Sequence, residues 1–228
     1  MNHNNTHTQN TLINKCYEQL QNHIINGTLA PGKKLKVREL KELLHVGASP
    51  IREALSRLTT SGLVQAIDNK GFRVAPISEH DIRDVYHTFL EIELLALCQA
   101  MKLGDDAWKT SIVATLYNLS LIEINHHTIS VEEWIKRNYE FHWALIAGCN
   151  SPALLELRSH IYRKFDRYCR MSFTIIGQKL ETNYHEHKKL ADAVLRRDKN
   201  TAIKIMTHHI LGSLENVIHM LKTQNILF

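Results

Sequence analysis

From residue 79 onward the chain repeats apolar side chains at helical spacing with few interruptions. Ile82, Val85, Phe89, Ile92 and Ala96 recur every three or four positions, which lines one face of a helix. Further stretches over 105–127, 130–148, 151–174, 178–197 and 199–222 do the same. Breaks fall near Gly104, Thr128, Asn150-Ser151-Pro152, Gly177 and Asp198-Lys199-Asn200. The pattern predicts an all-α bundle of about six helices. With only 9 Gly and 4 Pro in 228 residues, there is little material for a many-turned sandwich or barrel. A composition of 44% hydrophobic and 22% charged residues excludes a largely disordered chain and suffices for two cores. Cys16, Cys98, Cys149 and Cys169 lie far apart with no CxxC pair, which fits reduced thiols rather than a zinc ribbon or disulfide framework. No uncharged apolar run is long enough to span a bilayer, and the polar start MNHNNTHTQN lacks a signal-peptide core. A cytoplasmic protein without a membrane partner is expected.

The first third reads differently. Residues 1–78 hold ten Lys or Arg against five acids, so the whole net charge of +5 resides there, while residues 79–228 balance. A basic head on a neutral body is the distribution expected of a polyanion-binding module. Residues 1–9 read as a flexible arm. A helix follows with Leu12, Ile13, Cys16, Leu20 and Ile24 inward, closing at Gly27. After the Pro31-Gly32 turn, a short helix points Val37, Leu40, Leu43 and Leu44 inward and breaks at Gly47. A second opens at Ser49-Pro50, with serine as the cap and proline at the first helical position. Its buried face is Ile51, Leu55 and Leu58; Ser49, Arg52, Glu53 and Ser56 point elsewhere. Leu63–Ile67 and Phe72–Ala75 flank the turn Asp68-Asn69-Lys70-Gly71, a hairpin. Helix, helix-turn-helix and hairpin make a winged helix-turn-helix over 10–77, with an all-helical domain over 78–228. In such a module the second helix enters the major groove and the wing lies along the backbone or minor groove.

The stretch from Gly27 to Ile77 resembles the DNA-binding domain of the GntR family. Its opening pattern G-x-L-x-P-G-x-x-L appears as Gly27, Leu29, Pro31, Gly32 and Leu35. Its P-[VI]-R-E-A-L-x-x-L helix appears as Pro50-Ile51-Arg52-Glu53-Ala54-Leu55 and Leu58, followed by Gly62-Leu63 and by Gly71 with Val74. The resemblance implies that Arg52 and Arg38 contact DNA, and that Ser49, Lys70 and Gly71 lie against backbone or groove. A third family arginine is replaced by Ala48, with Gly47 beside it in the DNA-facing set, so this chain's operator is its own. Arg57 and Lys41 are expected to be solvated charges.

Of fifteen histidines, His3, His7, His126 and His127 sit in the arm or at a helix end, where solvated imidazole is the default. Three others fall inside apolar stripes. His142 lies among Ile135, Tyr139, Leu145 and Ile146, with Asn138 one turn earlier. His187 lies among Leu180, Leu190, Ala191 and Val194, and His209 among Ala202, Ile205, Met206, Ser213 and Met220. Buried imidazole needs a partner. A shared divalent metal is one solution, and three separately hydrogen-bonded core histidines are the other. The region resembles the effector domain of FadR-type regulators, whose metal-binding subset uses [DN]-x-x-x-H, then H-x-x-[IL]-x-x-A, then a late histidine. Asn138 and His142, then His187, Leu190 and Ala193, then His209 match it. That resemblance implies a Zn, Ni or Mn site on Asn138, His142, His187 and His209, weakened because Asn138 stands where Asp is commoner.

The segments ALIAGCNSPALL (144–155) and NKGFRVAPISEHD (69–81) resemble a branch of the family that responds to small dicarboxylates, and that resemblance implies an acidic effector, with Arg167 and Tyr139 as candidate contacts. By helical angle, however, Arg163, Arg167 and Arg170 lie opposite the Ile161/Phe165/Tyr168 stripe, which predicts a solvated basic face. A pocket-facing arginine frequent on the first effector helix of relatives is Phe89 here.

The chain is therefore expected to be a homodimeric bacterial transcription regulator and repressor. It would bind a near-palindromic double-stranded DNA operator and a small metabolite, with no catalytic residue. Two alternatives stand beside it. One is a relative whose histidines bind ligand without metal. The other is a His-liganded metalloenzyme with a nucleic-acid tether, against which no acid accompanies the three histidines at fixed spacing.

Overall fold

The computed structural model describes residues 3–68, 70–124, 131–171 and 180–223, with side chains from residue 12 in the first helix and from residue 183 in the eighth. Asn69 of the wing turn, His126, His127 and the expected breaks at Thr128 and Gly177 lie outside the described residues, as do the side chains of His3 and His7. Nine helices and three short strands occur among the described residues. None of the helices is long and apolar enough to cross a membrane. The chain divides into two compact units. One comprises residues 1–82 with 163–171 and 221–228, and the other residues 83–162 with 172–220.

In the first unit, helix α1 (His3–Ile25) begins at His3, within the segment read from sequence as an arm, and buries Cys16, Leu20 and Ile24. Leu12, expected inward, is exposed. Strand β1 (Lys34–Leu35) leads into helix α2 (Val37–Leu44), which buries Leu40 and Leu44. Leu43, also expected inward, is 44% exposed, so α2 closes on the core along a narrow edge. The helix stops at His45, whose backbone is left-handed (φ 54°), two residues before the expected break at Gly47.

Helix α3 (Ala48–Thr60) buries Pro50, Ile51, Ala54, Leu55 and Leu58. Gly47 is the N-cap and no side chain caps it, so Ser49 does not take the capping role expected from the sequence. Pro50 is then the third helical residue. It is still tolerated, because the first-turn amides have no intrahelical acceptor.

The end of α3 is a Schellman turn. Gly62 at φ +73° donates its amide to Thr59 O (3.1 Å), and Leu63 donates to Leu58 O (3.2 Å). The accompanying apolar pair, Leu58 and Leu63, is fully buried. Strands β2 (Val64–Ile67) and β3 (Gly71–Val74) form the expected hairpin, Val64 opposite Val74 and Ile67 opposite Gly71. The sequence did not announce the third strand: β1 pairs antiparallel on the far edge of β3, Leu35 opposite Phe72, giving the order β1-β3-β2.

The remaining six helices match the expected number. They are α4 (Glu79–Leu103), α5 (Asp106–Glu123), α6 (Val131–Ala147), α7 (Pro152–Met171), α8 (Leu180–Leu195) and α9 (Lys199–Thr223). In the second unit α5 packs on α6 and α8. Asp105 caps α5 by accepting from the Trp108 amide (2.8 Å), and the Trp108 indole donates to Ala144 O of α6 (2.9 Å). That pairing fixes α6, and with it the histidine face described below. At the end of α4, the Arg197 guanidinium donates to the carbonyls of Met101 and Gly104, a cation where orphan carbonyls gather.

Candidate nucleic-acid interface and metal centre

The apolar spacing of α3 turns Ile51, Leu55 and Leu58 inward, and the same rotation leaves Ser49, Arg52, Glu53 and Ser56 in solvent. Gly47, Ser49 and Arg52 are exposed around the helix N-terminus, whose unpaired amides and positive dipole end favour a phosphate. Arg38 is exposed on α2, and Lys70 and Gly71 are exposed at the wing tip. Gly71 holds φ +87°, a conformation that costs a residue with a β-carbon, and this closes the wing tightly. Arg57, which the sequence left as a surface charge, is tied to Glu53 (2.8 Å) and Asn14 (3.0 Å). On the wing, Arg73 Nε donates to Gln65 across the hairpin (3.0 Å). The six predicted DNA-facing residues thus share the exposed surface of the module, and none is in its core.

The second unit brings the three stripe histidines together. α6 supplies His142, α8 supplies His187 and α9 supplies His209; one nitrogen from each lies within 4.8 Å of the others. Two nitrogens at about 2.1 Å from one ion can be at most about 4.2 Å apart, so a small side-chain adjustment would close the set. His187 is fully buried and His142 nearly so, while the His209 side chain is 19% exposed. Burial holds His142 well below the usual histidine range, and positive charge from His209, His187 and Arg158 would add to that effect. Burial also lowers His187. Both rings are therefore neutral near pH 7, the form that can ligate a metal.

Carboxylates orient two of the rings, and here the sequence reading is corrected. Glu123, fully buried at the end of α5, lies 3.1 Å from His187 Nδ1 and accepts the Trp134 indole N–H (3.2 Å). Glu186 lies 2.8 Å from His209 Nδ1. With Nδ1 thus engaged, Nε2 is the atom each ring can offer the centre. His187 Nε2 and Asn138 Oδ1 are both buried without a hydrogen-bond partner. Acids do accompany the histidines, then, but in an orienting position. A signal for Glu123 existed: it falls four residues after Leu119 in a buried stripe, where a charge needs a reason.

Arg167 does not join this cluster. It belongs to the first unit, is 3% exposed, and donates from Nη2 to Ala75 O (2.7 Å), so the predicted solvated face is wrong for this residue. Tyr139 instead packs against Tyr162 (4.8 Å between centroids) and Trp143 (6.1 Å). Those three rings and Phe89 surround Arg158, which the sequence reading missed. Arg158 is fully buried, with Nε 2.9 Å and Nη2 3.3 Å from the carboxylate of buried Glu93. Both members of this pair occupy apolar stripes, Glu93 four residues after Phe89 and Arg158 four before Tyr162.

Comparison with known proteins assigns a family to each part of the chain. Residues 12–74 match the model of the "Bacterial regulatory proteins, gntR family", and residues 84–212 match the FCD domain. The chain is 34% identical over 202 residues to the "HTH-type transcriptional repressor GlaR" of Escherichia coli (strain K12), covering 86% of this chain and 90% of that one. It is 33% identical to the "Uncharacterized HTH-type transcriptional regulator BphR" of Paraburkholderia xenovorans (strain LB400), over 91% and 85% of the two chains. Among solved structures, E. coli McbR/YncC superposes with a TM-score of 0.73 at 20% identity, over 94% of this chain and 98% of that one, a likeness of fold. The chain belongs to the GntR family of bacterial regulatory proteins, of the FadR type, and is a DNA-binding transcriptional regulator with an FCD domain.

Proposed function

We propose that the protein is a homodimeric repressor in which the first unit reads a near-palindromic operator and the second binds a small acidic metabolite at a divalent metal. Arg52, Arg38 and Ser49 would meet the major groove and its phosphates, and Lys70 and Gly71 the flanking backbone or minor groove. Two-fold symmetric operators call for a two-fold protein. The sensing half rests on one observation: histidines from three helices converge where Asn138 Oδ1 and His187 Nε2 are buried without partners. Leaving such groups unpaired is costly, and a donor set of imidazoles plus one amide oxygen suits Zn, Ni or Mn.

When bound, such an ion supplies open positions to a carboxylate. The chain's own residues do the rest. Glu123 and Glu186 fix ring orientation, and burial keeps His142 and His187 unprotonated. Asn138 contributes an oxygen without the charge of an aspartate. Effector binding would change operator affinity through a coupling of about 1–3 kcal/mol, or 5–150-fold.

Metal analysis of protein prepared without a histidine tag tests this. After incubation with Zn, Ni or Mn and removal of excess, about one ion per chain should remain, and His142→Ala should lose it. Wild-type protein that retains none of these metals would overturn the metal reading and leave histidines that contact ligand directly.

A further inference from the structure

We propose that Arg158 is the second anchor of the effector site: its Nη1 nitrogen receives an oxygen of the effector remote from the metal-bound carboxylate, a distal carboxylate above all. The proposal rests on the metal-anchored reading given above and extends it to the other end of the ligand.

Three observations carry it. First, Arg158 is half used. Its Nε and Nη2 edge is engaged by Glu93, but Nη1 is buried with no hydrogen-bond partner. Guanidinium carries five N–H donors in a fixed fork, and a buried donor without an acceptor marks a group waiting for one. Second, the side chain is clamped. Rings of Tyr162 (4.5 Å), Tyr139 (5.2 Å), Phe89 (5.3 Å) and Trp143 (5.6 Å) surround the guanidinium carbon. A fork held this way is set for one direction of approach.

Third, the unmet groups belong to one unit and share a helix in their surroundings. In the second unit, the described buried side-chain atoms without partners are Asn138 Oδ1, His187 Nε2 and Arg158 Nη1. Two of the rings on Arg158, Tyr139 and Trp143, each follow a metal donor on α6, Asn138 and His142 respectively. One helix therefore presents the donor pair and the walls of the arginine cage one residue apart. Asn138 Oδ1 and His187 Nε2 both accept and would be met by the ion, while Arg158 Nη1 donates and would be met by the far oxygen of a bound acid; a carboxylate matches the fork best.

The test uses full-length protein loaded with Zn or Ni, titrated with acids paired by length: butanoate against succinate, and pentanoate against glutarate. Wild type should bind one diacid about tenfold or more tightly than its monoacid partner, the effect of one charge-assisted hydrogen bond. Arg158→Lys keeps the charge but not Nη1. It should reduce that preference to about twofold. Arg158→Gln carries the same comparison should the lysine variant not fold. Equal affinity of wild type for the paired acids overturns the assignment of Arg158, whatever the variants do, and so does a diacid preference that survives in a folded variant. Metal-dependent monoacid binding without diacid preference would spare the metal reading. No binding of any of these acids by metal-loaded protein would overturn the Arg158 assignment and the acidic-effector reading together, and leave the metal reading to the metal analysis.

Discussion

Arg52 is exposed on a helix whose opposite face is fully buried, so its removal separates recognition from folding. Arg52→Ala should weaken operator binding by about 1–3 kcal/mol, with urea stability unchanged within about 0.5 kcal/mol. Unaltered operator affinity in an anisotropy titration would refute its role. Glu123 is the counterpart in the second unit. Glu123→Gln keeps the size but loses the charge that orients His187, and should lower metal affinity about 10–100-fold in chelator competition. Tyr168 gives a pH test. Burial, the hydrogen bond to Asp81 and the negative charge of Asp81 all raise its ionisation well above the ordinary value of about 10. The stability this contributes is intact below pH 10, where the unfolded tyrosine is also neutral. It is lost as pH rises from 10 toward the folded value, at up to about 1.4 kcal/mol per pH unit. Tyr168→Phe should flatten that alkaline loss in urea melts. At this scale the histidines were legible because polar residues stood out within apolar stripes. Glu93 and Arg158 broke their stripes in the same way, but each was read against its own helix, and a buried pair 65 residues apart has no local signature.

Among the elements, α3 shows how a boundary is set by backbone satisfaction as much as by side-chain pattern. The apolar period correctly gave the buried face of α3. The start moved to Ala48 because the second residue before Pro50 could still be helical, which left Ser49 inside the first turn. At the other end Leu58 serves two purposes, filling the core and closing the Schellman turn against Leu63. Leu58→Ala should cost about 2–5 kcal/mol in urea unfolding, near the top of that range if the turn loosens too. A cost below 1 kcal/mol would show that the turn and core are independent. Strand β1 was illegible because two residues carry no period; its existence depends on the open edge of β3. Arg167 was misread for a related reason. Helical angle places it opposite one apolar stripe, but cannot show that the Ala75 carbonyl awaits it there.

At the level of the molecule, the charge split visible in the sequence corresponds to the two domains: the basic excess belongs to the winged head, and residues 79–228 balance. Architecture was legible because long helices with few glycines permit few alternatives, and because the head carries a contiguous motif. The chemistry of the proposed effector site was not legible, since it depends on which buried atoms are left unpaired once the helices have packed. The account stands on communication between the two functions. The decisive measurement is the affinity of full-length, metal-loaded protein for its operator, with and without a saturating acid that thermal shift shows to bind. A change of about 5–150-fold, abolished by His142→Ala, is the expected result. An operator affinity that stays constant while the acid is bound would contradict it.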